Sequence, residues 1–211
     1  DDERRRQLVA LLGRHPAVAA AFVGYADGRL VYVGRPDSFS PTERSDYGVA
    51  DRNAIVMRVV DGEGPARRET SWLQAPDGTR SAERVRPTNY DPRSRPWYVE
   101  AEKAHDAVLT APYHFAWSKH AGISSGVPLY GGGGVIGFDY TLETLSQLIT
   151  TYKITPNAII MVGHGVGAVE VESEGCVGAM PGCLPGATEV RVALKEVIRE
   201  AVASGHGVDR R

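Results

Sequence analysis

No run in the 211 residues approaches the roughly twenty consecutive apolar residues that a membrane-spanning helix needs. Charge of one sign is also lacking. Twenty-four Lys and Arg against 26 Asp and Glu leave a net charge of -2, which gives no electrostatic case for nucleic acid or an anionic membrane as partner. Cysteine is scarce: Cys176 and Cys183 stand alone, separated by VGAMPG. Two thiols cannot build a structural zinc site, and no histidine pair lies near them at ligand spacing. A loop of that size containing Gly and Pro can close as a disulfide in an oxidising compartment, or leave two small buried thiols. The six histidines are scattered. His114 and His120 flank an aromatic segment without carboxylates at ligand spacing, so neither a metal nor another cofactor is expected.

What is present is a globular composition, 42% hydrophobic and 24% charged, long enough to bury a sizeable core. Asp1 to Arg14 reads as a helix with Leu8, Leu11 and Leu12 on one face, stopped by His15-Pro16. Its abrupt start, at Asp rather than Met, is that of an excised or processed segment and of the end of a longer helix. Ala20 to Gly34 is a hairpin about Asp27-Gly28, and Pro36 to Gly48 is loop. Ala54 to Val60 is a strand, and Thr70 to Gln74 with Thr79 to Arg86 form a second hairpin about Pro76-Asp77-Gly78. A helix runs to about Ala107, followed by strands Leu109 to Trp117, Ser124 to Tyr130 and, past four glycines, Val135 to Tyr140. Thr141 caps a helix with Leu142, Leu145, Leu148, Ile149 and Tyr152 on its apolar face. This order describes an α+β domain with a curved antiparallel sheet.

The pattern then restarts. Strands at Asn157 to Val162 and Ala168 to Glu172 flank a glycine-rich turn, and Thr188 caps a helix reaching Ser204, with Gly205 as its stop. The expected organisation is an N-terminal helix over 1–16, a main lobe over 17–152 and a smaller lobe over 153–211.

Chemistry concentrates in Tyr90 to Tyr98, YDPRSRPWY. Pro96 suits the first turn of a helix, where its missing N–H costs nothing. Arg95, Trp97 and Tyr98 then stand at a helix N-terminus, whose free donors attract anions. A guanidinium there, walled by rings, is a receptor for a small carboxylate. The competing reading makes Asp91, Arg93 and Arg95 a solvated salt-bridge turn, with Trp97 and Tyr98 as core. Tyr113, Phe115 and Trp117 alternate and so face one side of their strand, while Val135, Gly137 and Asp139 share a face of theirs, with Gly137 leaving room beside the carboxylate. An aspartate inside an apolar strand is costly unless paired with a cation. It either meets an arginine, caps the Thr141 helix, or receives a ligand's ammonium.

Other motifs lose their context. Gly122 to Gly126 fits the G-x-S-x-G of a hydrolase, but Ser124 is followed by strand and turn rather than by the helix a nucleophile elbow requires. The Gly163, Gly165, Ala168 spacing fits a dinucleotide fingerprint but precedes a segment of period two. The Gly131 to Gly134 run lacks the Lys-Ser/Thr of a P-loop.

YDPRSRPWYVEA, the following APY strand and GVIGFDYTLETLSQLI together resemble the double Cache (dCache) domain, the extracytoplasmic sensor module of chemoreceptors, histidine kinases and cyclases. The opening HPAVAAAFVGYADGRLVYVG looks most like the version attached to adenylate/guanylate cyclases. The resemblance covers roughly residues 3 to 152 and, more loosely, the remainder. It implies two PAS-like lobes with antiparallel sheets and a long N-terminal helix, no enzymatic activity in this region, and a homodimer through that helix in the full receptor. It also implies an extracytoplasmic location and a small-molecule ligand: an amino acid, amine or organic acid. Tyr90, Arg95, Trp97, Tyr98, Tyr113 and Asp139 match the amino-acid-binding branch. Phe115 stands where that branch has an aspartate. In this scheme Arg95 and the Trp97 indole hold a carboxylate, Asp139 and the Tyr113 hydroxyl hold an amine, and Tyr98 closes the wall. Phe115 weakens the negative field and shifts preference toward a quaternary or weakly basic nitrogen, or toward a carboxylate alone. The rival expectations are a ligand-free structural or dimerisation module whose cavity is filled by Trp97, Phe115 and Trp117, and, last, a serine hydrolase at Ser124.

Overall fold

The computed structural model describes residues 2–36, 54–81, 83–151, 158–160 and 171–173. The loop expected after Pro36, both cysteines, the 163–168 glycines and the helix expected from Thr188 lie outside the described residues. The chain divides into two compact units, Asp1–Thr141 and Leu142–Arg211.

The first unit is built on one antiparallel sheet of nine strands. Helix α1 (Asp2–Arg14) precedes the hairpin β1 (Ala20–Tyr25) and β2 (Leu30–Gly34), and β3 (Ile55–Asp61), β4 (Arg68–Gln74) and β5 (Arg84–Pro87) extend that edge. A 3-10 turn at Pro92–Ser94 leads into helix α2 (Pro96–Ala104). The short β6 (Val108–Leu109) and β7 (Tyr113–His114) then pair with β8 (Ala121–Pro128), which pairs with β9 (Gly134–Thr141). Strand β9 returns to lie beside β1, giving the order β5-β4-β3-β2-β1-β9-β8-β6. First and last strands thus meet at the centre, where Phe22 faces Gly137 and Ala20 faces Asp139.

Period-two alternation divides the faces. Helix α1 packs on β1 and β2 through Leu8, Leu11 and Leu12. The opposite face carries Ala20, Phe22, Leu30, Tyr32, Val60 and Val135, packed against Trp97, Tyr98 and Ala101 of α2. Helix α2 starts at Pro96, with Arg95 extended at its N-cap, and ends on His105 in a left-handed conformation.

The strand expected as Leu109 to Trp117 is two short strands and a turn. Pro112 cannot donate to a ladder, so pairing lapses between Leu109 and Tyr113, and Ala116 to Ser118 turn back ahead of Lys119 at φ +60°. The premise that Phe115 and Trp117 alternate along a strand therefore fails. Gly137 does not make room for the carboxylate; a Cβ there would stand 2.2 Å from the Phe22 ring.

In the second unit, α3 (Leu142–Thr151) is followed by β10 (Ala158–Ile160) and β11 (Val171–Ser173), paired antiparallel as the hairpin pattern requires.

Helix α2 sits so close to β8 that a Cβ on Gly126 would lie 2.3 Å from the Trp97 carbonyl oxygen. Backbone cannot yield as a side chain does, so Gly126→Ala is expected to destabilise the fold by about 1–3 kcal/mol. Urea denaturation measures this, and an unchanged midpoint would mean that the helix is free to lift from the strand.

Candidate functional site

Between α2, the turn after β7 and the sheet lies a cavity lined by Phe22, Tyr32, Tyr90, Arg95, Trp97, Tyr113, Phe115, Ala116, Trp117 and Asp139. Six of the seven residues expected from the sequence are brought together there. Tyr98 is not among the lining. Adjacent helical residues point in different directions, so with Trp97 turned to the cavity, Tyr98 lies edge-on to it at 5.6 Å and packs toward Gly24. Phe22, Tyr32, Ala116 and Trp117 complete the walls. Sheet order puts Phe22 and Tyr32 there; no local motif marks them.

Asp139 is buried at 6% exposure on β9. Its cross-strand partner is Ser124, whose hydroxyl donates to Asp139 Oδ1 at 2.5 Å. The Tyr113 hydroxyl stands 2.6 Å from the same Ser124 oxygen. Since the serine proton goes to the carboxylate, Tyr113 donates to Ser124, and the three form a chain. Desolvation pushes the Asp139 carboxyl up to about 7, against the lowering effects of Ser124 and the Arg95 charge. Burial likewise raises the Tyr90 and Tyr113 phenols well above their ordinary value.

Ser124 is fully buried in β8, with its backbone N–H donating to Thr110 Oγ1 at 3.0 Å. No helix follows it, and no histidine lines the cavity beside it, so the geometry of a hydrolase elbow is absent among the described residues. Its role is instead to donate to Asp139, a role that the pattern of the sequence did not show. Its direct register with Asp139 is the signal, visible once β8 and β9 are paired.

Arg95 lies between two phenol rings, its guanidinium carbon 5.8 Å from the Tyr90 centroid and 5.4 Å from that of Tyr113. Its guanidinium donates a long hydrogen bond, 3.5 Å, to the His114 carbonyl oxygen. Among the described residues it forms no ion pair, either with Asp139 or with another carboxylate. Asp91 and Arg93 pair with each other at 2.7 Å in the preceding turn, which satisfies the salt-bridge reading for those two and leaves Arg95 out of it.

The rings are mutually packed. Phe22 meets Trp97 at 4.7 Å, Tyr90 meets Trp117 at 4.5 Å, and Tyr113 meets Phe115 edge-on at 5.5 Å. The space left is about 10 Å³, near the size of one water position. Chemically, the arrangement offers an anion receptor and a proton-bearing acid within one nearly dry aromatic enclosure. No group of three potential metal ligands occurs among the described residues.

No family model matches the chain. It is 28% identical over 178 residues to adenylate cyclase 1 of Rhizobium meliloti, covering 82% of this chain and 27% of the cyclase. It is 35% identical over 109 residues to the methyl-accepting chemotaxis protein PctB of Pseudomonas aeruginosa, covering 49% of this chain and 17% of that protein. The chain thus spans about a quarter or less of these relatives. Among solved structures it is similar to the ligand-binding domain of the Pseudomonas aeruginosa amino acid chemoreceptor PctC in complex with GABA. That match has a TM-score of 0.44 and 20% identity, covering 76% of this chain and 53% of that one. The resemblance to cyclase and chemoreceptor sensors is borne out by these relatives, and the α+β class by the structure.

Asp139 yields a pH prediction. Its folded pKa near 7 exceeds the unfolded value near 4, so the native state binds the extra proton. Stability is then full below about pH 4 as far as this group is concerned and is lost as pH rises toward 7. Between pH 5 and 7.5 the parent should lose on the order of 1–3 kcal/mol relative to Asp139→Asn. Parallel pH–stability curves for the two proteins would mean that the carboxyl is solvated.

Proposed function

We propose that this chain is the extracytoplasmic sensor region of a membrane-anchored signalling protein, a nucleotide cyclase or similar receptor, of the double Cache type. It binds a small carboxylate or amine such as an amino acid, and catalyses nothing itself. One observation carries the reading. Arg95 and Asp139, opposite in charge and 44 positions apart, line one aromatic cavity without pairing. A ligand carrying both charges would complete both groups, with Tyr90, Trp97, Tyr113 and Phe115 as walls. Asp139 would accept the amine once it has shed its proton, and Tyr98 supports the Trp97 wall from behind.

The strands that present Phe22 and Tyr32 to the cavity carry α1 on their other face. Ligand-dependent repacking of these strands would therefore bias the N-terminal helix, through which the receptor would dimerise, by shifting an existing equilibrium. The main lobe is taken to extend through 152, with 153–211 as the smaller lobe.

The cavity's volume favours one other reading, a ligand-free structural or dimerisation module whose rings fill their own pocket. Calorimetry with a panel of amino acids, ω-amino acids, monocarboxylates and simple amines separates the two. The sensor reading expects a binder whose affinity falls at least tenfold in Arg95→Ala and in Asp139→Asn, since each charge-assisted contact contributes about 1.5–3 kcal/mol. A flat panel would leave the structural module standing, and variants that bind like the parent would sink the assignment of Arg95 and Asp139 to the site.

A further inference from the structure

The walls of the cavity are unequal in how they are held. Phe22 and Tyr32 belong to central strands and Trp97 to α2, and all three are buried. Trp117 sits in the turn between β7, a strand of two residues, and β8. That turn reaches across the sheet face to the opposite edge. The Trp117 indole Nε1–H donates to Glu69 Oε2 of β4 at 2.8 Å, a contact spanning 48 positions. Glu69 in turn binds the Arg58 guanidinium through its other oxygen, Oε1, at 2.6 Å, with both side chains almost wholly buried. The Arg58 guanidinium carbon lies 5.0 Å from the Trp117 ring centroid, and the ring is flanked by Tyr90 at 4.5 Å and Tyr32 at 5.1 Å. A buried ion pair costs desolvation, and here its free carboxylate oxygen is spent on one indole.

We propose that Trp117 is the movable wall of this cavity, and that Glu69 and Arg58 are positioning residues that latch it shut. The inference rests on the sensor reading for the ligand's identity, but the latch itself does not need one. With room for about one water inside, any larger solute enters only when a wall moves. Trp117 hangs on a turn behind a two-residue strand and is tied across the sheet by one hydrogen bond, so it can swing out without breaking the central ladder. The latch therefore sets the rate of ligand exchange more than the affinity, because the same opening precedes entry and exit.

The test uses hydrogen exchange at the three indole N–H groups of the 211-residue chain, followed by NMR. In Glu69→Gln, exchange at Trp117 should speed up about tenfold, the effect of losing a charge-assisted hydrogen bond, while Trp72 on the far face stays unchanged. General loosening of the fold would move all three together. Trp117→Phe keeps a ring and avoids an unpaired buried charge. In it, exchange at Trp97, which lines the same cavity, should quicken while that of Trp72 does not. With L-glutamine as the soluble probe, stopped-flow rates for binding and release in Glu69→Gln, a position that does not line the cavity, should rise together by about tenfold with Kd within about threefold. Unchanged Trp97 exchange in Trp117→Phe, or unchanged Trp117 exchange in Glu69→Gln, overturns the latch whatever the binding result. If exchange responds as expected and no panel compound binds the parent, the latch stands and the sensor reading falls.

Discussion

A carboxyl deprived of water must find a proton, a cation or hydrogen-bond donors, and Asp139 has few of these. Ser124 supplies one short hydrogen bond, Tyr113 supports that serine, and Arg95 acts only as a charge at a distance. The carboxyl therefore stays protonated up to near neutrality. On the α2 face of the sheet that group lies buried among aromatic side chains. The rings exclude solvent, and the guanidinium is set between two of them rather than beside the acid.

Small residues make this enclosure possible. Gly126 and Gly137 face each other across β8 and β9. One admits the backbone of α2 and the other the Phe22 ring, so the helix start bearing Arg95 and Trp97 comes down onto the strands that bear Ser124 and Asp139. Gly122 does the same for Phe115. Close packing of this kind leaves little void, and the cavity's small size is its direct result. Recognition in such a site means exchanging ring–ring contacts for ring–ligand contacts. Affinity then depends on the difference between two packed states rather than on an open pocket's area.

Much of the fold could be read from local pattern. The α1 stripe of Leu8, Leu11 and Leu12, the Asp27-Gly28 and Asp77-Gly78 turns, and the Pro96 helix start each depend on neighbours within a few positions, and each stands where expected. Leu109 to Trp117 was harder. Its alternation looked like one strand, but Pro112 interrupts the ladder, and the side chains reach the cavity by way of a turn instead. Tyr98 shows the converse: a residue adjacent to the right one, turned away by helix geometry.

By itself the sequence determined the inventory of the site and most of its elements: an arginine at a helix start, aromatic residues around it, an aspartate in an apolar strand. Those are consequences of composition and short-range geometry. Tertiary structure alone decided that Ser124 is the aspartate's donor, that Phe22 and Tyr32 are walls, and that Arg58 and Glu69 hold Trp117. The pairing of β8 with β9 brings Ser124 to Asp139, that of β9 with β1 sets Phe22 beside them, and that of β3 with β4 brings Arg58 to Glu69. Strand order is set by burying whole faces at once, and a linear pattern of alternating residues carries no record of which strand will lie beside which.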